Sequence, residues 1–345
     1  MKWFLQFLFF LLYLFAPTAF GANYIIFNAP GCTGTYPSSI NQQGEITGTC
    51  AGTDNRYHGF FRATDGTITL FDISTFGTSG EAINTNGDIA GTYGEVVGGQ
   101  NLYHGFLRTA SGAIFTFDAP CPDAVTFATS INSNGDIAGY CQEPLTQLQH
   151  GFVRVRNGAI TVFDVPGAGI TLPAGINDAG YIAGTYNPMQ GGSHGFLRTN
   201  SGVIISFDAP PIGGGSTGTL VGGINTVGEI AGSAVRAGPP DLTFSRGFLR
   251  TSDGSFTVFK LPFRSTMSVF GINGNGDTVG QYGNSGFVRS HTGLFISFMA
   301  PGASETSALS INDSGWVTGT MITNYVYQGF LRVPCMPLKP CPNDP

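Results

Sequence analysis

Three short motifs recur along the chain in a fixed order, and this recurrence limits the fold more than any other feature. An Ile-Asn pair with Gly three residues after the Asn occurs seven times, its Asn at Asn41, Asn84, Asn132, Asn177, Asn225, Asn273 and Asn312. The spacings are 43, 48, 45, 48, 48 and 39 residues. Gly-Phe-x-Arg also occurs seven times, ending at Arg62, Arg108, Arg154, Arg198, Arg250, Arg289 and Arg332. A third motif, of the type Gly-x-Ile-x-x-Phe-Asp-x-Pro, has its Phe at Phe71, Phe117, Phe163, Phe207, Phe259 and Phe298. Each period holds four apolar segments of strand length, which is the content of one propeller blade.

The third motif is one copy short within complete units, and the missing copy lies at the start of the chain. Tyr24 to Pro30 reads Tyr-Ile-Ile-Phe-Asn-Ala-Pro with nothing before it, whereas the last unit stops after Phe330-Leu331-Arg332. A ring closed by pairing these two pieces accounts for both. The sequence therefore predicts an all-β, seven-bladed β-propeller of four-stranded blades, the N-terminal strand completing the last blade. The blades fall at about 28–72, 73–118, 119–164, 165–208, 209–260, 261–299, and 300–332 plus 22–27.

Turn chemistry agrees. Asn86-Gly87 and Asn134-Gly135 supply the positive φ that short hairpins need between the first and second strands. Two residues before each motif Asn stands a residue no larger than Ser: Ser39, Ala82, Ser130, Gly175, Gly223, Gly271 and Ser310. Seven inner strands crowding an axis require such close approach.

Composition excludes the main competitors. With 52 Gly and 20 Pro among 345 residues and only 36 charged side chains, helix is unfavourable over most of the length. A formal charge of −6 argues against nucleic acid, which demands clustered Lys and Arg. Residues 1–21 read as a signal peptide: Lys2, an apolar run from Trp3 to Ala16, Pro17, then a small-residue site before Ala22. Cleavage leaves no transmembrane segment. The mature chain, a propeller over 22–332 with a Pro-rich tail over 333–345, is expected to be extracellular or periplasmic and monomeric, its six cysteines oxidised.

Register within the repeat pairs several side chains. The residue before Gly-Phe and the residue after the third-motif Phe are 14 apart: His58 and Asp72, His104 and Asp118, His150 and Asp164, His194 and Asp208. Asp is present wherever His is, and the later units hold Arg246 with Lys260, Ser285 with Met299, and Gln328 with Asn28. Four dyads in four blades are too far apart to share a metal ion, so they read as structural hydrogen bonds. The seven Arg likewise read as repeat consensus rather than an anion site. Repeat equivalence pairs Cys32 with Cys50 and Cys121 with Cys141, leaving Cys335 for Cys341.

The His-Gly-Phe-Leu-Arg, Ile-Asn-x-x-Gly-x-Ile-Ala-Gly and Phe-Asp-Ala-Pro motifs resemble the bacterial extracellular repeat family named for a His-Ala-Phe (HAF) signature, with Gly here in place of Ala. The resemblance spans residues 22 to 332. It implies an exported β-repeat protein and brings no catalytic residues with it.

Catalytic patterns are scarce. Gly214-Gly215-Ser216-Thr217-Gly218 has the letters of a nucleophile elbow but lies in a Gly-rich connection with no helix after it. No metal or cofactor motif is present, and Glu81 is the single acid in the axial stretch of any first strand. Variation concentrates in the connections between second and third strands, so binding is expected on that face. Tyr57, Tyr103, Tyr140, Tyr186, Phe244, Tyr282, Tyr325 and Tyr327 lie there with Asp54, Glu95, Asp123, Glu143 and Asp241. Aromatic rings beside carboxylates suit sugars or extended peptides; the selected binding residues are Tyr57, Glu95, Tyr103, Asp123, Glu143, Asp241 and Tyr325. Tyr93, Tyr186 and Tyr282, at equivalent positions, read as packing.

The leading expectation is a secreted binding module without a cofactor, its partner a polysaccharide or a surface protein. A carbohydrate-active hydrolase or lyase using Asp123, Glu143 and Asp241 is the alternative, and a purely structural surface repeat the third. Peptide mapping of the oxidised mature chain should recover Cys32 with Cys50 and Cys121 with Cys141. Replacing either pair by Ala should lower the unfolding free energy by about 3 kcal/mol; a Cys32–Cys121 peptide would refute the register.

Overall fold

The computed structural model describes residues 22–122, 125–212, 217–236, 244–259 and 266–335. The expected leader at 1–21, Asp123, Asp241, Lys260, residues 214–216 and Cys341 with most of the tail lie outside these. Among the described residues there are twenty-eight strands and no helix. None is therefore a helix long and apolar enough to cross a membrane.

The strands form antiparallel four-stranded meanders in chain order, here called strands a to d of a unit. The first unit is Cys32–Ile40, Ile46–Gly52, Tyr57–Arg62 and Ile68–Phe71. Five such sheets stand separately. Two more are joined by a single parallel bridge, Gln149 to Ile170, into one eight-stranded sheet. In the last unit the fourth place is taken by Ala22–Phe27, which pairs antiparallel with Val326–Pro334, Ile25 facing Leu331. That strand c runs two residues beyond Arg332, because Val333 and Pro334 face Asn23 and Ala22; the tail expected from 333 starts later.

Every strand a carries a register slip between the fourth and second residues before its motif Asn, as between Gly80 and Ala82 or Ala128 and Ser130. The bulge leaves one residue per strand outside the ladder: Ser38, Glu81, Thr129, Ala174, Gly222, Phe270 and Leu309. The small residue read from the sequence sits directly after it. Six of the seven bulge residues, all but Gly222, line one shared channel of about 320 Å³.

The motif asparagines, all buried, link the sheets. Asn41 Nδ2 donates to the carbonyl of Asn84 (3.1 Å), Asn84 to Asn132 (3.0 Å), Asn132 to Asn177 (3.1 Å) and Asn177 to Asn225 (3.1 Å). Asn225 then donates to Asn273 (3.2 Å), Asn273 to Asn312 (3.0 Å), and Asn312 back to Asn41 (3.0 Å). Each Oδ1 accepts from the backbone N–H four residues on, as Asn41 does from Glu45 (2.9 Å), so one carboxamide both closes its own hairpin and holds its neighbour.

At the outer side, each motif Arg reaches the strand-d Phe of the preceding unit. Arg62 lies over Phe27 (5.1 Å to the ring centre), Arg108 over Phe71 (5.1 Å), Arg154 over Phe117 (5.1 Å) and Arg198 over Phe163 (4.8 Å). Arg250 over Phe207 (4.9 Å), Arg289 over Phe259 (4.3 Å) and Arg332 over Phe298 (4.9 Å) complete the series. Burial pulls the Arg62, Arg108, Arg154, Arg198, Arg250 and Arg289 pKa values down, yet guanidinium stays charged in proteins. The ring quadrupole is its partner. No carboxylate is within ion-pair distance of these seven among the described residues.

The Phe after each motif Gly is fully buried in all seven units: Phe60, Phe106, Phe152, Phe196, Phe248, Phe287 and Phe330. The Gly itself lies under the strand-d ring of its own unit. A Cβ at Gly195 would come within 2.3 Å of the Phe207 ring, and one at Gly59 within 2.4 Å of Phe71. In this chain the ring leaves no room for a side chain at the motif Gly.

Two substitutions test this framework by urea denaturation. Asn177→Ala removes an inter-sheet bond and a hairpin bond and leaves buried groups unpaired, so a loss of about 2–4 kcal/mol is expected. Gly195→Ala should cost about 1–3 kcal/mol through overpacking. Unchanged midpoints would remove these contacts from the account of stability.

Candidate functional site

Among the described residues, connections from strand b to c and from d to a gather at one end of the sheets, and in the first four units a His side chain anchors them. His58 Nδ1, His104 Nδ1, His150 Nδ1 and His194 Nδ1 lie 2.7–2.9 Å from Asp72, Asp118, Asp164 and Asp208. In three units the other ring nitrogen meets an acid from the b–c connection or its flanking strand end: Asp54 at 3.1 Å, Glu95 at 3.2 Å and Glu143 at 3.4 Å. An imidazole donates from both nitrogens only when protonated. Burial of His58 opposes its charge, but the hydrogen bonds and charges of Asp54 and Asp72 outweigh burial and raise its pKa. The hydrogen bond with His58 in turn holds Asp54 below the usual carboxylate range. Glu95 and Glu143, expected as binding residues, thus lie within ion-pair distance of His104 and His150 and outside the cavity lining.

Opposite each His on strand b the residue alternates between bridge and ring. Cys50 faces His58 and Cys141 faces His150, each joined by a disulfide to Cys32 and Cys121. Tyr93 stacks on His104 (5.0 Å) and Tyr186 on His194 (5.2 Å), while Tyr282 packs against Phe295 (5.9 Å). Those tyrosines pack, as the repeat equivalence implies. Cys335 is not free, and its expected partner Cys341 lies outside the described residues.

Between the first three units the same end holds a cavity of about 700 Å³. Tyr57 and Tyr103 line it, as does Tyr140; Asp123 and Asp241 lie outside the described residues, and Tyr325 is 98% exposed and not part of the lining. Tyr327 pairs with Tyr36 (5.1 Å) and Phe244 with Arg236 (5.4 Å). One wall is an aromatic column: Tyr103 stacks on Phe127 (5.4 Å), Phe127 on Tyr140 (5.0 Å), and Phe76 meets Tyr103 edge-on (6.3 Å).

Polar side chains also line the cavity. Ser79 Oγ donates to Glu81 Oε1 (2.5 Å) and lies 2.5 Å from Thr49 Oγ1. Glu81 is the bulge residue of its strand and lines both the cavity and the channel shared by the bulge residues. Burial pushes its carboxyl up, the Ser79 hydrogen bond offsetting only part of this. Burial also raises Tyr140, and the negative charge of Glu81 adds to it.

Sequence reading passed over Phe76, Phe127 and the role of Glu81. The available signal was departure from the repeat: the residue after the strand-a Thr is Tyr36, Ser79, Phe127, Leu172, Leu220 and Ser307 in successive Thr-bearing units. Among the described residues no group of three or more His, Cys, Asp or Glu is placed to hold a metal ion.

Compared with family models and with curated proteins, the chain matches none. Solved structures do match. A streptogramin B lyase aligns at TM-score 0.56 and 14% identity over 90% of this chain and 97% of that one. Virginiamycin B lyase from Staphylococcus aureus aligns at 0.57 and 15% over 91% and 100%. An oligogalacturonate lyase in complex with manganese aligns at 0.61 and 11% over 91% and 96%. At such identities the likeness establishes the fold alone: an all-β chain of the propeller type.

His58 generates a pH prediction. With its pKa raised in the folded state, its contribution is fully present below the unfolded value of about 6.5 and is lost as pH rises through the folded value. The stability difference between wild type and His58→Gln should therefore be largest below about pH 6.5 and shrink as pH rises above it. A difference constant through that rise would show that His58 does not titrate with the fold.

Proposed function

We propose that the chain is a secreted, seven-bladed β-propeller of the extracellular repeat type, closed by its N-terminal strand, and that it acts as a binding module for saccharides. Closure is supported by the Ala22–Phe27 pairing with Val326–Pro334 and by the return of the asparagine series from Asn312 to Asn41. Export is supported by two disulfides, which persist in oxidising compartments.

The observation that carries the functional reading is the cavity: an aromatic column facing hydroxyl-bearing side chains, within the usual 300–1,000 Å³ range of ligand sites. Sugars present an apolar ring face and a rim of hydroxyls, and Tyr103, Phe127 and Tyr140 with Thr49, Ser79 and Thr92 match both. A second reading is a carbohydrate-active lyase or hydrolase; the neighbouring structures reported above are named as lyases. Against a glycoside hydrolase, Glu81 is the one acid lining the cavity among the described residues, whereas hydrolytic glycosidic cleavage ordinarily takes two carboxylates.

Glycan-array binding by the oxidised chain 22–345 tests the proposal, with Tyr103→Ala printed alongside. Selective binding weakened about tenfold or more in the variant is expected, since a lost aromatic stack costs on the order of 1–3 kcal/mol. Release of new reducing ends from a bound glycan would promote the enzyme reading, and binding untouched by Tyr103→Ala would move the site elsewhere.

A further inference from the structure

Glu81 has no structural task that the fold requires of an acid. The same bulge position in the other six strands is filled by Ser38, Thr129, Ala174, Gly222, Phe270 and Leu309, and each of these strands makes its bulge without a carboxyl. The carboxyl also has no counter-charge. Among the described residues no Lys, Arg or His forms an ion pair with it, and none hydrogen-bonds its Oε2. Among the described residues Glu81 is the only charged side chain lining the cavity.

A desolvated carboxyl without a partner stays neutral or is matched by a cation that enters. We propose that the cavity takes a cationic saccharide, an amine-bearing sugar whose ammonium group pairs with the Glu81 carboxylate while its rings pack against the Tyr103–Phe127–Tyr140 column. The inference rests on the saccharide-binding reading and adds its chemical class. An ammonium donates to the open Oε2 and supplies the missing charge. The ring systems alongside contribute further attraction for a cation near their faces. The formal charge of −6 draws cations toward the surface and repels acidic glycans. Burial raises the Glu81 carboxyl in the empty cavity, so pairing with an ammonium ion ionises it and releases its proton to solvent.

Titration calorimetry on the full mature chain tests this with three trisaccharides of similar shape: glucosamine trisaccharide, its N-acetylated form, and cellotriose. Wild type is expected to bind the glucosamine form at least about tenfold tighter than the other two, as a charge-assisted contact requires. Glu81→Gln, close in shape, should abolish that preference and leave the weaker binding of the acetylated sugar intact. With a trimethylammonium form, whose charge is fixed, affinity should rise as pH rises through the Glu81 range, and the proton released should be visible as a dependence of heat on buffer. Equal affinity for all three sugars overturns the proposal and leaves the saccharide reading standing. So does acetylated-sugar affinity that falls with rising pH, because that marks Glu81 as a neutral donor. No binding of any probe overturns both. Should Glu81→Gln fail to fold, the pH dependence and proton release of wild type still decide.

Discussion

A single carboxamide, repeated seven times, is the contact on which the rest of the structure depends. Each motif Asn accepts hydrogen bonds inside its own a–b hairpin through Oδ1 and donates to the next unit's Asn carbonyl through Nδ2. Local turn and inter-sheet attachment therefore cannot be separated. Burying such a group is unfavourable unless its donors and acceptors are met, and here they are met by two units at once. The donor distances stay within 3.0–3.2 Å although the motif spacing varies from 39 to 48 residues. Length differences must be absorbed elsewhere, in the connections.

Away from the asparagines, attachment is made by rings. A guanidinium over the preceding unit's Phe and a buried Phe beneath a Gly leave little room for variation along strands c and d. His side chains then fasten the b–c segments at the other end, reinforced by a disulfide in the first and third units. With the strands fixed in this way, the bulge residues and the b–c and d–a connections can change without disturbing the frame. The cavity arises where they do change: Phe76, Ser79 and Glu81 in one unit and Phe127 in the next depart from the residues their counterparts use.

Much of this was legible as periodicity. Four strands per unit, the turn glycines, the cysteine register and the His–Asp spacing follow from positions repeated at a nearly constant interval, because equivalent places in a repeat meet equivalent neighbours. The motif Asn and Arg stood out by the same recurrence, but their contacts did not. Nothing in the string distinguishes an Arg that pairs with an acid from one that lies over the preceding unit's Phe, since the partner belongs to another period. Loop residues were judged by chemical type alone, and Glu95 and Glu143, attractive as sugar ligands, are drawn to the second nitrogen of His104 and His150.

The sequence by itself determined the strand content, the order of the elements and the two disulfides Cys32–Cys50 and Cys121–Cys141, since these depend on local propensity and on equivalence between repeats. Only the tertiary structure decided where a ligand would fit. Thr49, Glu81 and Tyr140 come from three different units, spread over about 90 residues of the chain, and converge because the sheets are set side by side. A periodic signal averages such residues away: the repeat that makes the scaffold readable hides the departures from it that shape the site.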